Sequence, residues 1–272
     1  MAYLKTLCEF YGRLRDHLPT ACVLCSTRTP GGLCEHCRSA VCQSRLSGWP
    51  RCPRCDLLLG EGRVAPEAHA GLTPAAGQDP DCPDCAVAPP VLERVVAAFD
   101  YAWPGELLIQ QLKLQRRISY APVLAALLAA RCTDLQGCPE ARGGFWGEQP
   151  VLVMPVPSSR HSLVARGFNP AAEIGRDLAY RLRLEWRPEL LRRVREGHEQ
   201  KSQGRHARRQ GVEGLYSCSD AVAGRDILVV DDVMTTGSTL NAIATVLKGK
   251  GAHKVWAAVA ARTPLRCAGG GA

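Results

Sequence analysis

Residues 227–240, ILVVDDVMTTGSTL, combine an apolar run, two adjacent carboxylates and a hydroxyl-rich loop containing glycine. The apolar run reads as a buried strand closed by Asp231 and Asp232. Residues 233–237 then form a short loop, and a helix opens at Ser238 or Thr239. Ligands of open α/β sheets bind beyond the carboxyl ends of the strands. This loop offers backbone N–H groups, the hydroxyls of Thr235, Thr236 and Ser238, and Gly237, where the backbone can come close to a ligand. The helix behind it adds the positive end of its dipole, and together these make a phosphate cradle. Two carboxylates beside a phosphate would repel it. They fit a ligand whose phosphate enters the loop while its hydroxyls, or a metal it carries, meet the acids. A sugar phosphate is such a ligand.

The second chemical signal is a set of fourteen cysteines. Eight of them form four Cys-x-x-Cys pairs, Cys22/Cys25, Cys34/Cys37, Cys52/Cys55 and Cys82/Cys85, all in the first third of the chain. The N-terminal residues carry scattered charges and no apolar core, unlike a secretory signal, so the pairs read as metal sites rather than disulfides. Two thiolates at this spacing reach one tetrahedral Zn²⁺ at about 2.3 Å. Eight suit two sites. Sequential pairing puts Cys22, Cys25, Cys34 and Cys37 on one zinc and Cys52, Cys55, Cys82 and Cys85 on the other; a cross-braced pairing uses the same ligands. One or two zinc ions are expected, and with four protein ligands each they hold the fold rather than do chemistry. His36 and Cys42 lie close enough in sequence to compete as ligands. The remaining cysteines read as small apolar residues.

These sites must be carried by a chain of 272 residues, 46% hydrophobic and 22% charged. That is ordinary globular usage, with room for a medium domain and a small one. The longest unbroken apolar run, residues 120–130, falls short of the roughly 20 residues of a membrane helix. A soluble cytoplasmic protein is expected. The net charge of +8 is uneven: residues 1–93 carry 9 basic and 10 acidic side chains, residues 94–272 carry 25 and 16. The basic second part implies anionic partners, phosphate ligands or nucleic acid.

Leu4, Leu7, Cys8, Tyr11 and Leu14 recur at helical spacing, which predicts a helix within residues 1–19. Residues 20–88 form the cysteine module, too poor in large apolar side chains to fold without metal. After Pro89–Pro90 the composition changes. Strands are expected at 91–101, 151–157, 226–232 and 254–262, and helices at 104–115, 121–135, 170–184 and 238–250. Asn169 followed by Pro170 is an N-cap and first-turn signal. Strands that are apolar throughout and alternate with helices argue a parallel sheet covered on both faces. The tail, 265–272, reads as disordered.

The strand, the acid pair and Thr-Thr-Gly-Ser-Thr resemble the signature of type I phosphoribosyltransferases, which bind phosphoribosyl pyrophosphate (PRPP). MPVPSSR (154–160), ARGFNPAAEIG (165–175), KVWAAVAAR (254–262), the Phe99-x-Tyr101 strand, Lys113 and the cysteine knuckles are together similar to the competence-protein ComF family. The resemblance runs from about Cys22 to Arg262. It implies a double zinc-ribbon module (20–88) joined to a type I phosphoribosyltransferase-like α/β domain (91–264), and in some members a link to DNA uptake during natural transformation. It also implies that Asp231 and Asp232 hold ribose hydroxyls and that Thr235, Thr236, Gly237, Ser238 and Thr239 hold the 5′-phosphate. Met154, Pro155, Val156, Pro157, Arg160 and Arg166 would lie near the pyrophosphate, with Mg²⁺ on its oxygens. The basic segment 192–211 would be a mobile lid, with Lys201, Arg205, Arg208 and Arg209 reaching the pyrophosphate. There Gln200, Arg208, Arg209, Gly214 and Tyr216 fit the family pattern, whereas Gly211 stands where asparagine is usual.

Phosphoribosyl transfer loses pyrophosphate through a cationic ribose, so the protein must neutralise the leaving group, hold the sugar and exclude water. No general base for an acceptor stands out, and a PRPP-binding sensor would carry the same cradle. The alternative is a non-catalytic accessory of DNA uptake that binds single-stranded DNA or a nucleotide. Residues 192–209 carry 7 basic and 2 acidic side chains, which suits a solvated surface, a pyrophosphate lid or a nucleic-acid patch. Few aromatics lie nearby, Trp186 and Tyr216, which counts against base stacking.

Overall fold

A computed structural model describes residues 18–46, 49–59, 81–136, 150–195 and 214–264. The expected N-terminal helix, the lid candidates Lys201, Arg205, Arg208 and Arg209, and the tail lie outside the described residues. The first cysteine segment contains β1 (Pro19–Ala21), β2 (Arg28–Pro30), α1 (Glu35–Val41) and α2 (Gln43–Leu46); α3 (Pro83–Val87) follows the last cysteine knuckle. Then come β3 (Arg94–Asp100), α4 (Gly105–Lys113), α5 (Ala121–Gln136), β4 (Val151–Pro155), α6 (Arg160–Arg166), α7 (Pro170–Leu182), β5 (Glu185–Trp186), β6 (Leu191–Arg193), β7 (Tyr216–Cys218), β8 (Asp226–Met234), α8 (Ser238–Gly249) and β9 (Val255–Arg262).

Five strands make one sheet in the order β3–β9–β8–β4–β5, with every pairing parallel. Apolar side chains on both faces of these strands demand cover on both sides. Leu108, Ile109 and Leu112 of α4, Leu124 and Leu128 of α5, and Ile174 and Leu178 of α7 pack on one face. Leu240, Ile243 and Leu247 of α8, with Leu191 and Tyr216 of the antiparallel β6–β7 pair, pack on the other. The segment 118–135 is apolar and long enough by composition to cross a membrane, and half of it is buried inside this fold. It includes all but the last residue of the core helix α5.

The cysteine segments do not hang beside the sheet. They close its β3 edge. The outward-facing amides of β3 are donated to them: Val95 N to Arg54 O at 2.8 Å and Ala97 N to Asp56 Oδ2 at 2.7 Å. An edge strand so covered offers no template for another chain. Cys22 and Cys37 join the apolar cluster on the α4–α5 face, and Cys52, Cys55, Cys82 and Cys85 join the cluster on the α8 face. Two buried ion pairs fasten the seam: Arg45–Asp56 at 2.7 Å and Arg51–Asp100 at 2.5 Å.

Candidate phosphate-ester site and metal centres

In β8 the run from Asp226 to Val230 is fully buried, and the exposure of alternate residues begins only at Asp231. The strand does not stop at Asp232, as the acid pair had suggested. Its pairing with β9 continues through Val233↔Ala261 and Met234↔Arg262, because β9 itself runs that far. The loop is therefore Thr235, Thr236 and Gly237. Thr235 and Thr236 are exposed, and Gly237, Ser238 and Thr239 are half-buried. Gly237 adopts φ +78°, and a Cβ there would collide with Met234 Cε. The tight turn thus requires glycine at this position. Thr236 Oγ1 lies 2.8 Å from Ser238 Oγ and accepts from Ser238 N at 3.4 Å, which orders both hydroxyls at the mouth of α8. The first-turn amides of a helix have no intrahelical acceptor.

Asp231 and Asp232 stand just below this loop. Asp231 Oδ1 accepts from Asp232 N at 2.9 Å. Burial, and after it the charge of Asp232, pushes the Asp231 carboxyl up to about 8. Asp232 is buried and pairs with Lys113 Nζ at 2.8 Å. Lys113 comes from the last turn of α4, so a third strand–helix unit reaches the acid pair. The sequence marks Lys113 only as part of the family-like pattern; its position at the end of an amphipathic helix facing the sheet is the signal that makes it a site residue.

The second loop of the site follows β4. Because β4 pairs with β8, with Pro155↔Val230 in register, the residues after Pro155 emerge beside Asp231 at the same end of the sheet. Val156 N donates to Val230 O at 2.8 Å and holds them there. Met154, Pro155 and Val156 are buried; Pro157 is half-buried, Arg160 is exposed and Arg166 half-buried. Asn169 does more than cap α7. Its Oδ1 accepts from Ala171 N at 3.1 Å and from Ser158 Oγ at 2.9 Å, while its Nδ2 donates to Val156 O at 2.9 Å. It clasps the β4 loop to the start of α7. Arg166 ends α6 immediately before Gly167 in the left-handed region. The described part of the basic segment, residues 192–195, includes the end of β6, where the Arg193 guanidinium stands 6.0 Å over the Tyr216 ring of β7.

The eight paired cysteines form two tetrads, Cys22, Cys25, Cys34, Cys37 and Cys52, Cys55, Cys82, Cys85, with the Sγ atoms of each within 4.8 Å of one another. Pairing is sequential, not cross-braced. The two are built alike: a turn with a left-handed residue after the second cysteine (Ser26, Asp56), then a short helix capped by the third (Cys34, Cys82). Amides point at sulfur, Cys34 N to Cys22 Sγ at 3.5 Å and Cys82 N to Cys52 Sγ at 3.3 Å. Four converging thiols with such donors fit a tetrahedral Zn²⁺. His36 and Cys42 belong to neither tetrad. Among the other cysteines, Cys132 is a core residue whose thiol burial pushes up to about 12.

The phosphoribosyl transferase domain family matches residues 168–266. With the parallel five-stranded sheet, this defines a type I phosphoribosyltransferase-like fold preceded by cysteine clusters. The chain is 34% identical over 229 residues to the DNA utilization protein YhgH of Salmonella typhimurium, covering 84% of this chain and 95% of that one. It is 26% identical over 235 residues to competence protein F of Haemophilus influenzae, covering 82% and 93%. It belongs to the ComF family. Among solved structures, the glutamine PRPP amidotransferase of B. subtilis overlaps 50% of this chain and 25% of its own at a TM-score of 0.31 and 20% identity.

Proposed function

We propose that this protein binds PRPP or a related ribose 5-phosphate ester at the end of β8. The reading rests on one juxtaposition: two acids, Asp231 and Asp232, stand near the end of β8, two residues before a hydroxyl-lined loop at the opening of the twelve-residue helix α8. The 5′-phosphate enters the loop 235–239, and the acids take the ribose hydroxyls. The β4 loop, with Arg160 and Arg166, faces the pyrophosphate, whose charge a bound Mg²⁺ would help to neutralise. Departure of pyrophosphate would leave a cationic ribose beside Asp231 and Asp232; attack on its anomeric carbon by an acceptor nucleophile, which gives up its proton, would complete phosphoribosyl transfer. The cysteine segments hold structural Zn²⁺ and buttress residues 91–264. The relatives' names, a DNA utilization protein and a competence protein, support a role in DNA uptake or use, and we infer that the protein works in the cytoplasm.

A second reading is favoured by the basic balance of residues 94–272 and by the relatives' names: a non-catalytic accessory that binds single-stranded DNA. Calorimetric titration with PRPP and Mg²⁺, run beside a salt-dependent gel shift with single-stranded DNA, separates the two. Heat with PRPP supports the first. A shift with DNA and no heat with PRPP supports the second.

A further inference from the structure

Arg262 ends β9, two residues before the described chain stops, and it is buried. It touches two sites at once. Toward the second cysteine tetrad, its Nε donates to Cys55 O at 3.2 Å and its Nη2 lies 3.9 Å from Cys55 Sγ. Toward the phosphate loop, its Nη1 donates to Met234 O at 3.3 Å, to Thr235 O, and to Thr263 O at 3.1 Å. The register Met234↔Arg262 fixes this placement from the backbone.

The consequences are geometric and electrostatic. In a trans peptide the C=O and the following N–H point in opposite directions. The Met234 and Thr235 carbonyls are held toward Arg262, so the amides of Thr235 and Thr236 point away from it and are free of that guanidinium's pull. A guanidinium is always charged, and its fork can serve several acceptors at once. Zn²⁺ on four thiolates carries a net double negative charge, so this cation stands between one anionic centre and the place of another.

We propose that Arg262 is a positioning residue that couples the second cysteine tetrad to the phosphate loop, so that metal in the tetrad strengthens binding of a ribose 5-phosphate ester and the ester in turn retards loss of that metal. This rests on the phosphate-ester reading of the loop. In affinity the coupling is reciprocal, because around the closed cycle of the two binding events each ligand must change the other's affinity by the same factor.

The test uses the full zinc-loaded chain with ribose 5-phosphate as probe. Calorimetry measures binding, and a chromogenic chelator follows zinc release with and without saturating probe. Cys25→Ser, in the first tetrad, removes that site's release and leaves the second tetrad alone in view. Chelator competition at equilibrium is expected to show the probe raising second-tetrad zinc affinity by about fivefold or more, with slower release beside it. In Arg262→Lys, which keeps the charge and loses the fork, probe affinity falls about tenfold and the gain in zinc affinity disappears. Wild type that binds the probe with second-tetrad zinc affinity unchanged overturns the coupling and leaves the binding reading intact. Wild type that binds neither ribose 5-phosphate nor PRPP overturns both. If Arg262→Lys does not fold, the wild-type linkage measurement decides alone.

Discussion

Lys113 Nζ lies 2.8 Å from Asp232 Oδ1 and joins the last turn of α4 to the second acid of β8. Two neighbouring carboxylates in a largely buried position repel each other, and this ammonium offsets part of that repulsion. It also fixes the orientation of the Asp232 carboxylate. Lys113→Met is expected to lower stability by about 1–2 kcal/mol, less than for a fully buried pair because Lys113 retains some exposure. It is also expected to weaken PRPP binding about tenfold. Chemical unfolding and calorimetry check the two effects. An unchanged affinity would remove Lys113 from the site.

Asp231 makes the acid pair sensitive to pH. Burial first, and then the Asp232 charge, raises its carboxyl to about 8, against about 3.9 in an unfolded chain. Between these values the folded protein holds a proton that the unfolded chain has lost. The group's contribution to stability is therefore complete below about pH 4 and is lost as pH rises through about 8. Asp231→Asn removes this titration. Relative to that variant, wild type is expected to lose about 1–3 kcal/mol between about pH 5 and pH 8. Thermal unfolding of both proteins across this range reads the difference, and stability curves that stay parallel would contradict the assignment.

The seam between the cysteine segments and the sheet depends on Asp56. Its carboxylate accepts from Arg45 at 3.0 and 2.7 Å and from Ala97 N at 2.7 Å. Asp56→Ala strands a buried guanidinium and an edge amide together. A loss of about 3–5 kcal/mol is expected in urea unfolding. Asp56→Asn, which suits the left-handed backbone at 56 and still offers an acceptor to Ala97 N, should lose less. A loss below about 1 kcal/mol for Asp56→Ala would show that the seam is held elsewhere.

Metal removal should follow exposure. Cys25 is exposed, whereas all four cysteines of the second tetrad are buried. Elemental analysis is expected to give two zinc ions per chain. A chelator should withdraw them in two phases, the faster from the tetrad of Cys25, and Cys25→Ser should abolish that phase. Release in a single phase would argue that the two tetrads open together.

Much of the sheet was legible because its strands are runs of β-branched and small apolar residues, and the acid–loop–helix sequence of β8 announced its own geometry. The repeated knuckle spacing likewise pointed to two four-cysteine sites, but whether the knuckles pair sequentially or crosswise depends on how the segments fold together. What stayed hidden were contacts between residues far apart in the chain. Nothing local ties Arg262 to Cys55, 207 positions away, or Lys113 to Asp232. Asn169 read correctly as a cap, but its clasp on Val156 and Ser158 depends on how the β4 loop folds back. Helix α6 buries none of its residues, so it carries no apolar periodicity to read. The strands β6 and β7, three residues each, are too short for alternation to register.

The central claim is most directly tested by titrating PRPP with Mg²⁺ into wild type and into the double variant Asp231→Asn/Asp232→Asn. The substitutions keep the shape of the acids and remove their charge. Saturable heat is expected for wild type and a loss of affinity of about tenfold or more for the variant, since the salt-bridged Asp232 and the proton-holding Asp231 are both replaced by amides. Equal binding by both proteins would contradict it.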